Sequence, residues 1–287
     1  MDLSIIIPSY NTSALLDRCL TSIYQHLTGS EITFEVIVVD NASGDDSCVM
    51  ARKKFPRVHL VRNKANLGYG KANNRGIRIA NGMYILLLNS DVIVQNDAVP
   101  TLYTFLRVNP SVFAGGKLFN EDGSPQPSCG PFFSLPVVAE MLFLRGDYWG
   151  LSRYAPDRTR QVDWISGACM MGRKSSFMEV GLFDEKIFMY MEEIDLLYRA
   201  RKLGHKAFFV HDAQFIHTGA ASSGTRKTPV VNIYRGLVHF YQKHHPGTAL
   251  GILRVMLRIK ALAGIIAGRM IKKPIVTQTY EEALRIL

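Results

Sequence analysis

The chain is expected to fold as an α/β protein, with a mostly parallel central sheet covered on both faces by helices and a helical extension at the C-terminus. Three observations lead there. Short runs rich in Ile, Val and Leu recur along the first 119 residues, and segments with apolar residues at helical spacing separate them. The runs are apolar throughout rather than alternating, as in parallel strands buried on both faces.

The elements follow in order. "LSIIIPSYN" reads as a buried strand ending in a polar loop, and "SALLDRCLTSIYQHL" follows with Leu15, Leu16, Cys19, Leu20, Ile23, Tyr24 and Leu27 on one helical face. "FEVIVVDNAS", "VHLVRN" and "YILLLNSD" are the next strands, with helices between and after them that include "GYGKANNRGIRIA" and residues 97–108. Residues 120–163, rich in Pro, Gly and Ser, show little periodicity and read as an excursion over the sheet, an acceptor-binding lid. "VDWISGACMMGRKSSFMEVGLFDE" resumes strand and helix, and "KAFFVHDAQFIHTG" reads as a strand pair.

Open α/β sheets bind ligands at the carboxyl ends of their strands. Those ends carry "PSYN", "DNAS", "RNKANLGYG" and "NSD", and Asp40 and Asp91 each close an apolar run. One such Asp is ordinarily a cap or turn former; two beside Asn-rich loops point to a site. The turn after the first strand contains no glycine, so the dinucleotide fingerprint is missing, and no phosphate-binding P-loop occurs.

Composition narrows the class further. With 287 residues, 47% of them hydrophobic, the chain can bury one large core. Its formal charge of +10 admits nucleic acid, membrane or an anionic substrate. Zinc-finger spacing and RNP-type strands are absent, and the basic residues are spread rather than interleaved with aromatics, which argues against nucleic acid. The start lacks a basic n-region, and Cys19, Cys48, Cys129 and Cys169 have neither metal nor disulfide spacing. A cytoplasmic setting is expected.

"FMYMEEIDLLYRA" sets three acids among large apolar residues. At helical period Glu192, Asp195, Arg199 and Lys202 share one stripe, on which Asp195 and Arg199 suit an exposed i,i+4 pair. Glu193 falls with Leu196, Leu197, Ala200 and Leu203 on the inward stripe, as an anchor or a reagent.

Taken in order, "IIIPSYN", "VIVVDNASGDDS", "NLGYGKANNRGI", "YILLLNSD", "GLFDEKIFMYMEEIDLLYRARKLGHKAFFV" and "IHTGAAS" resemble the family 2 glycosyltransferases, inverting nucleotide-sugar enzymes of the GT-A fold, in their bacterial rhamnosyltransferase-like branch. The resemblance runs from about residue 3 to 225. It implies a nucleotide-sugar glycosyltransferase domain over 1–225, with a nucleotide-binding half (1–119) and an acceptor-binding and catalytic half (120–225), followed by the basic extension 226–287. It also implies that Pro8, Tyr10 and Asn11 border the base, that Asp40 accepts from the pyrimidine N3–H, and that Asn66 and Lys71 lie near ribose and diphosphate. The family's metal-binding D-x-D appears as Asn89, Ser90 and Asp91, with one carboxylate retained. Mg²⁺ or Mn²⁺ would then be held by Asp91 with His217. Glu193 takes the position of the general base, and Glu192 supports it or contacts acceptor. The implied donor is a dTDP- or UDP-sugar, dTDP-L-rhamnose by the branch, and the acceptor a hydroxyl of a cell-surface glycan or a lipid-linked glycan. The alternative is a catalytically impaired scaffold of the same fold, peripheral on the membrane.

From Ala249 to Lys273 the tail carries Arg254, Arg258, Lys260, Arg269, Lys272 and Lys273 and no acid. Its uncharged stretches fall well short of the ~20 residues a spanning helix needs. It reads as an interfacial amphipathic helix, peripheral on the inner face of the cell membrane, or else as a helix packed on the main body.

Overall fold

The computed structural model describes residues 1–219 and 227–287. The expected boundary at 225/226 and the end of "IHTGAAS" lie outside the described residues. β1 (Leu3–Ser9) is the organising strand, pairing in parallel with β2 (Phe34–Asp40) on one side and β4 (Tyr84–Leu88) on the other; β3 (His59–Arg62) extends the sheet beyond β2. Helices α1 (Ser13–Leu27), α2 (Ser47–Lys54) and α3 (Tyr69–Ile79) make the crossovers. β5 (Val92–Val94) and α4 (Ala98–Val108) follow, then β6 (Val112–Phe119).

The sheet turns mixed in its second half. β11 (Cys169–Arg173) inserts between β4 and β6, antiparallel to both, and β12 (Lys206–His217) runs parallel to β6 and antiparallel to β5. β12 is one strand with a register shift between Val210 and Gln214, where the sequence suggested a strand pair. Residues 120–163 contribute the short pieces β7 (Pro125–Gln126), β8 (Cys129–Gly130) and β9 (Arg160–Val162), with α5 (Leu135–Phe143) between β8 and β9; β10 (Trp164–Ile165) closes a ribbon with β8. α6 (Lys174–Val180) and α7 (Glu192–Lys202) precede β12, and α8 (Lys227–His244), α9 (Thr248–Met270) and α10 (Pro274–Leu284) end the chain.

Successive side chains on the apolar strands point to opposite faces, so each strand feeds two cores. Ile6, Ile37, Val39, Ile85 and Leu87 pack in one core with residues of α3, α6, α7, α8 and α9. Ile5, Ile7, Val36, Val38, Leu86 and Leu88 pack in the other with α1 and α4. All four cysteines are buried and unpaired.

The tail is a helix packed on the body that also keeps an open apolar face. Leu253, Leu257 and Ala261 of α9 are fully buried in the first core, while Ile252, Val255, Ile259, Leu262 and Ile266 form an exposed stripe. Of the basic residues, Arg258 bonds the Leu287 carbonyl at 3.1 Å and Arg269 pairs with Glu281 at 3.4 Å, so part of the basic charge of α9 is engaged by residues 281–287. Among the described residues no helix is long and apolar enough to cross a membrane.

Candidate active site

A cavity of 710 Å³ opens at the carboxyl ends of β1, β2 and β4 and reaches across to α7. Pro8, Tyr10, Asn66, Asn89, Ser90, Asp91, Glu192, Glu193 and His217 all line it, although they are spread over some two hundred positions of sequence. Three other candidates do not. Asn11, in the left-handed region at φ 54°, accepts the Gly44 N–H at 2.8 Å and braces the neighbouring loop. Asp40 is 1% exposed, accepting the Ser43 N–H at 3.3 Å with Arg62 at 3.9 Å, and Asn41 rather than Asp40 faces the cavity. Lys71 sits on the first turn of α3, outside the wall.

The metal candidates meet. β4 ends just before Asp91 and β12 ends at His217, and antiparallel pairing of β5 with β12 sets His217 opposite Val92. His217 Nε2 lies 3.3 Å from Asp91 Oδ1. On its far side His217 Nδ1 is 2.6 Å from Gln126 Oε1, while the Gln126 amide nitrogen donates to Asn120 Oδ1 at 2.9 Å. That amide orientation makes Oε1 the acceptor, so Nδ1 carries the proton and the Nε2 lone pair is left toward Asp91. Gln126 escaped the sequence reading because a two-residue strand in a Pro-rich stretch has no period to read. Among the described residues no cluster of three or more His, Cys, Asp or Glu could hold a metal. The pair therefore fits a cation whose remaining ligands are phosphate oxygens and water, not one caged by protein alone.

The acids of α7 are held differently from the sequence expectation. Tyr190 and Met191 both adopt positive φ, 68° and 77°, an unfavourable turn for non-glycine residues that is sustained by packing. α8 backs it: a Cβ on Gly236 would stand 2.7 Å from Met191 Cγ and 2.9 Å from the Tyr190 carbonyl oxygen. α3 holds the other side, where Tyr69 N–H donates to the Phe188 carbonyl at 3.0 Å and Gly68, at φ 85°, leaves no room for a Cβ against that same oxygen.

This enclosure corrects the two-stripe picture. Glu192, placed on the outward stripe, is 5% exposed, and Leu203, placed inward, is 52% exposed. Asp195 is the larger departure, being fully buried against α8 instead of forming an exposed pair. Its carboxylate takes Arg199 Nε at 2.8 Å, Lys243 Nζ at 2.9 Å and His244 Nε2 at 2.7 Å. The cations hold the Asp195 carboxyl below its ordinary range against the cost of burial. Burial pushes His244 down, so it serves as a neutral N–H donor. The helix-period argument failed because α8, which covers that face, arrives more than thirty residues later in sequence.

Glu192 and Glu193 each present a buried Oε2 without a hydrogen-bond partner among the described residues. Burial raises both carboxyls, and the neighbouring Glu193 charge drives Glu192 further up. Glu193 has compensation in its own backbone N–H, in Arg153 and in the Gly167 backbone. Burial thus opposes ionisation of both carboxyls, and more strongly at Glu192. The Tyr69 hydroxyl, bonded to the Gly167 carbonyl at 2.5 Å, closes the floor beside them.

The comparisons with known proteins agree with this architecture. The family model described as Glycosyl transferase family 2 matches residues 4–181. An N-acetylglucosaminyl-diphospho-decaprenol L-rhamnosyltransferase of Mycobacterium tuberculosis is 30% identical over 279 residues, covering 89% of this chain and 89% of its own. Rhamnosyltransferase WbbL of Escherichia coli is 29% identical over 226 residues, 74% of this chain and 82% of its own. Among solved structures, mannosyltransferase PcManGT from Pyrobaculum calidifontis, in complex with GDP-Man and Mn²⁺, superposes with a TM-score of 0.59 at 17% identity over 99% of this chain and 74% of that one. The fold is the GT-A fold.

Proposed function

The chain belongs to glycosyl transferase family 2 and is a glycosyltransferase, and from that premise we propose that it moves a sugar, with inversion, from a nucleoside diphosphate donor to a hydroxyl of a lipid-linked or cell-surface glycan. The relatives named as rhamnosyltransferases support L-rhamnose from dTDP-L-rhamnose as the donor. The observation that carries the reading is one cavity holding an Asp91–His217 pair at one wall and two buried carboxylates at the other.

On this reading residues 1–119 form the donor half and 120–225 the acceptor half, with 226–287 as the extension. Pro8, Tyr10 and Asn41 border the base, Asn66 and Asn89 flank ribose and diphosphate, and Asp40 and Asn11 act by shaping the loops behind them. Asp91 and His217 would hold Mn²⁺ or Mg²⁺, whose charge would stabilise the departing diphosphate. Glu193 accepts the proton of the acceptor hydroxyl as the oxygen bonds to the anomeric carbon and the bond to the diphosphate oxygen breaks. Burial raises its carboxyl, which strengthens it as a proton acceptor. Glu192, beside it on the first turn of α7, supports Glu193 or contacts the acceptor.

The extension is read as a peripheral membrane contact, supported by the exposed Ile252, Val255, Ile259, Leu262 and Ile266 and by the adjacent basic residues. Since α9 also supplies core residues, point substitutions rather than truncation are the means to examine it.

A donor screen with Glu193→Gln tests the proposal. Wild type should transfer from one nucleotide sugar in a cation-dependent manner. The variant should keep donor binding and lose at least about 10²-fold in turnover, as expected for a missing acid–base group. Undiminished transfer by Glu193→Gln, or full activity in excess chelator, would refute the assignment.

A further inference from the structure

One part of the cavity lining is apolar, with Phe133, Met141, Trp164 and Ile233. One cation stands in that wall. Arg153 lies with its guanidinium 5.8 Å from the Trp164 ring centroid and, among the described residues, makes no direct ion pair or hydrogen bond, although its charge also acts on the Glu193 carboxyl. Asp147 lines the same cavity, and its carboxylate accepts the Ser152 hydroxyl at 2.6 Å, with no ion pair to Arg153 among the described residues.

The loop that carries Arg153 is built rather than loose. Gly146 N–H reaches the Glu140 carbonyl at 2.9 Å, Leu151 N–H reaches the Gly146 carbonyl at 2.8 Å, and Tyr154 exchanges backbone bonds with Cys129. Trp164, 3% exposed, is fixed from below by its indole N–H on the Pro131 carbonyl at 2.8 Å. A positioned guanidinium on an aromatic face, free on its donor edge, is suited to a phosphate, which it can grip through two parallel N–H bonds. The same loop then leads outward to Phe143, Leu144, Tyr148 and Trp149, all strongly exposed, with Tyr148 and Trp149 packed edge to face at 5.0 Å. These exposed side chains adjoin in sequence the cavity-lining Met141, Asp147 and Arg153.

We propose that this part of the cavity is the subsite for an acceptor carrying an alkyl-linked diphosphate, that Arg153 is its phosphate contact, and that the apolar wall and exposed aromatic rim receive the first part of the alkyl chain. The inference rests on the reading of the chain as a glycosyltransferase with a lipid-linked acceptor, and it adds how that acceptor is told from a free glycan. Arg153 reads the phosphate, whereas Glu193 handles the hydroxyl.

Two readouts test it, one of which does not depend on transfer. The chain has two tryptophans, Trp149 and Trp164, so in a Trp149→Phe background the fluorescence of Trp164 reports directly on the neighbourhood of Arg153. With UDP and Mn²⁺ saturating the donor side, farnesyl diphosphate should change this signal saturably. Arg153→Gln should weaken the binding about tenfold or more, as for a lost charge-assisted contact, and Arg153→Lys should recover part of it. In the transfer assay Arg153→Gln should raise KM for a sugar-diphospho-lipid acceptor by a similar factor and leave KM for an alkyl glycoside without phosphate unchanged, while any change in kcat from the lost charge near Glu193 should be the same on both acceptors. Equal farnesyl diphosphate binding by wild type and Arg153→Gln would overturn the proposal, as would an equal rise in KM on the phosphate-free acceptor. Inorganic pyrophosphate binding as tightly as farnesyl diphosphate would overturn the alkyl part. Arg153-dependent farnesyl diphosphate binding in a protein that transfers to no acceptor would leave the subsite standing and sink the transferase reading instead.

Discussion

Replacing Asp195 by Asn asks whether the body of α7 is anchored from within. Asp195 is fully buried among Arg199, Lys243 and His244, and removing one partner of a buried charge cluster typically costs about 3–5 kcal/mol because the remaining charges lose compensation. The lower end applies here. Lys243 keeps Asp184 at 2.8 Å, and Arg199 keeps the carbonyls of Val180 and Leu182. At about 2.1 cal/mol/K per residue a chain of this size has an unfolding entropy of roughly 0.6 kcal/mol/K, so a loss of about 3 kcal/mol lowers Tm by about 5 °C. An exposed i,i+4 pair, worth about 0.3–0.5 kcal/mol, would shift Tm by less than about 1 °C. Calorimetry of wild type and Asp195→Asn at pH 7 separates the two, and a shift under 1 °C would refute the buried-anchor argument. The pH dependence adds a signature. Since the folded-state pKa of Asp195 is depressed, its contribution is complete above the ordinary carboxylate pKa and disappears as pH falls through the folded value, so the Tm gap should narrow below about pH 4. Transfer should fall as well, with donor affinity retained, because Asp195 holds α7 and α8 together behind Glu192 and Glu193.

Further outcomes follow from the site. Glu192 has its pKa raised, so above the ordinary carboxylate range the folded state holds more protons than the unfolded one and stability declines with rising pH; Glu192→Gln should match wild type in Tm near pH 4 and exceed it increasingly toward pH 8, and parallel Tm curves would contradict this. The raised pKa of Glu193 should displace the acid limb of kcat above the usual carboxylate range, and a limb at pH 4 or below would argue against Glu193 as the base. Gln126→Leu removes the acceptor that fixes His217, so the Mn²⁺ concentration for half-maximal activity should rise about 10- to 100-fold; an unchanged Mn²⁺ titration would rule out the tautomer argument. Ile259→Glu with Leu262→Glu alters only the exposed face of α9 and should abolish salt-sensitive binding to anionic liposomes while leaving Tm within about 1 °C, since surface changes away from packed features are nearly neutral. Retained liposome binding would remove α9 from the membrane contact.

By itself the sequence determined the layered α/β core and the polar strand ends where the cavity opens. Both are written in short-range signals: "IIIPSYN" and "YILLLNSD" are apolar on both pleat faces, and their last residues are polar because the strands stop at solvent. The ordered motifs also pointed to the strand-end wall of the cavity and to the acids of α7. What the tertiary structure alone decided is how each acid is surrounded. Asp195 reads as a helix-surface acid until α8 arrives to bury it, and Glu192 reads as outward until loop, α3 and α8 close over the first turn of α7. The β12 irregularity, the grip of Gln126 on His217 and the stacking of Arg153 over Trp164 are likewise contacts set by the folded chain. Periodicity reports which side of an element is apolar, but burial and charge state depend on what packs against it. Those partners are set by the fold as a whole.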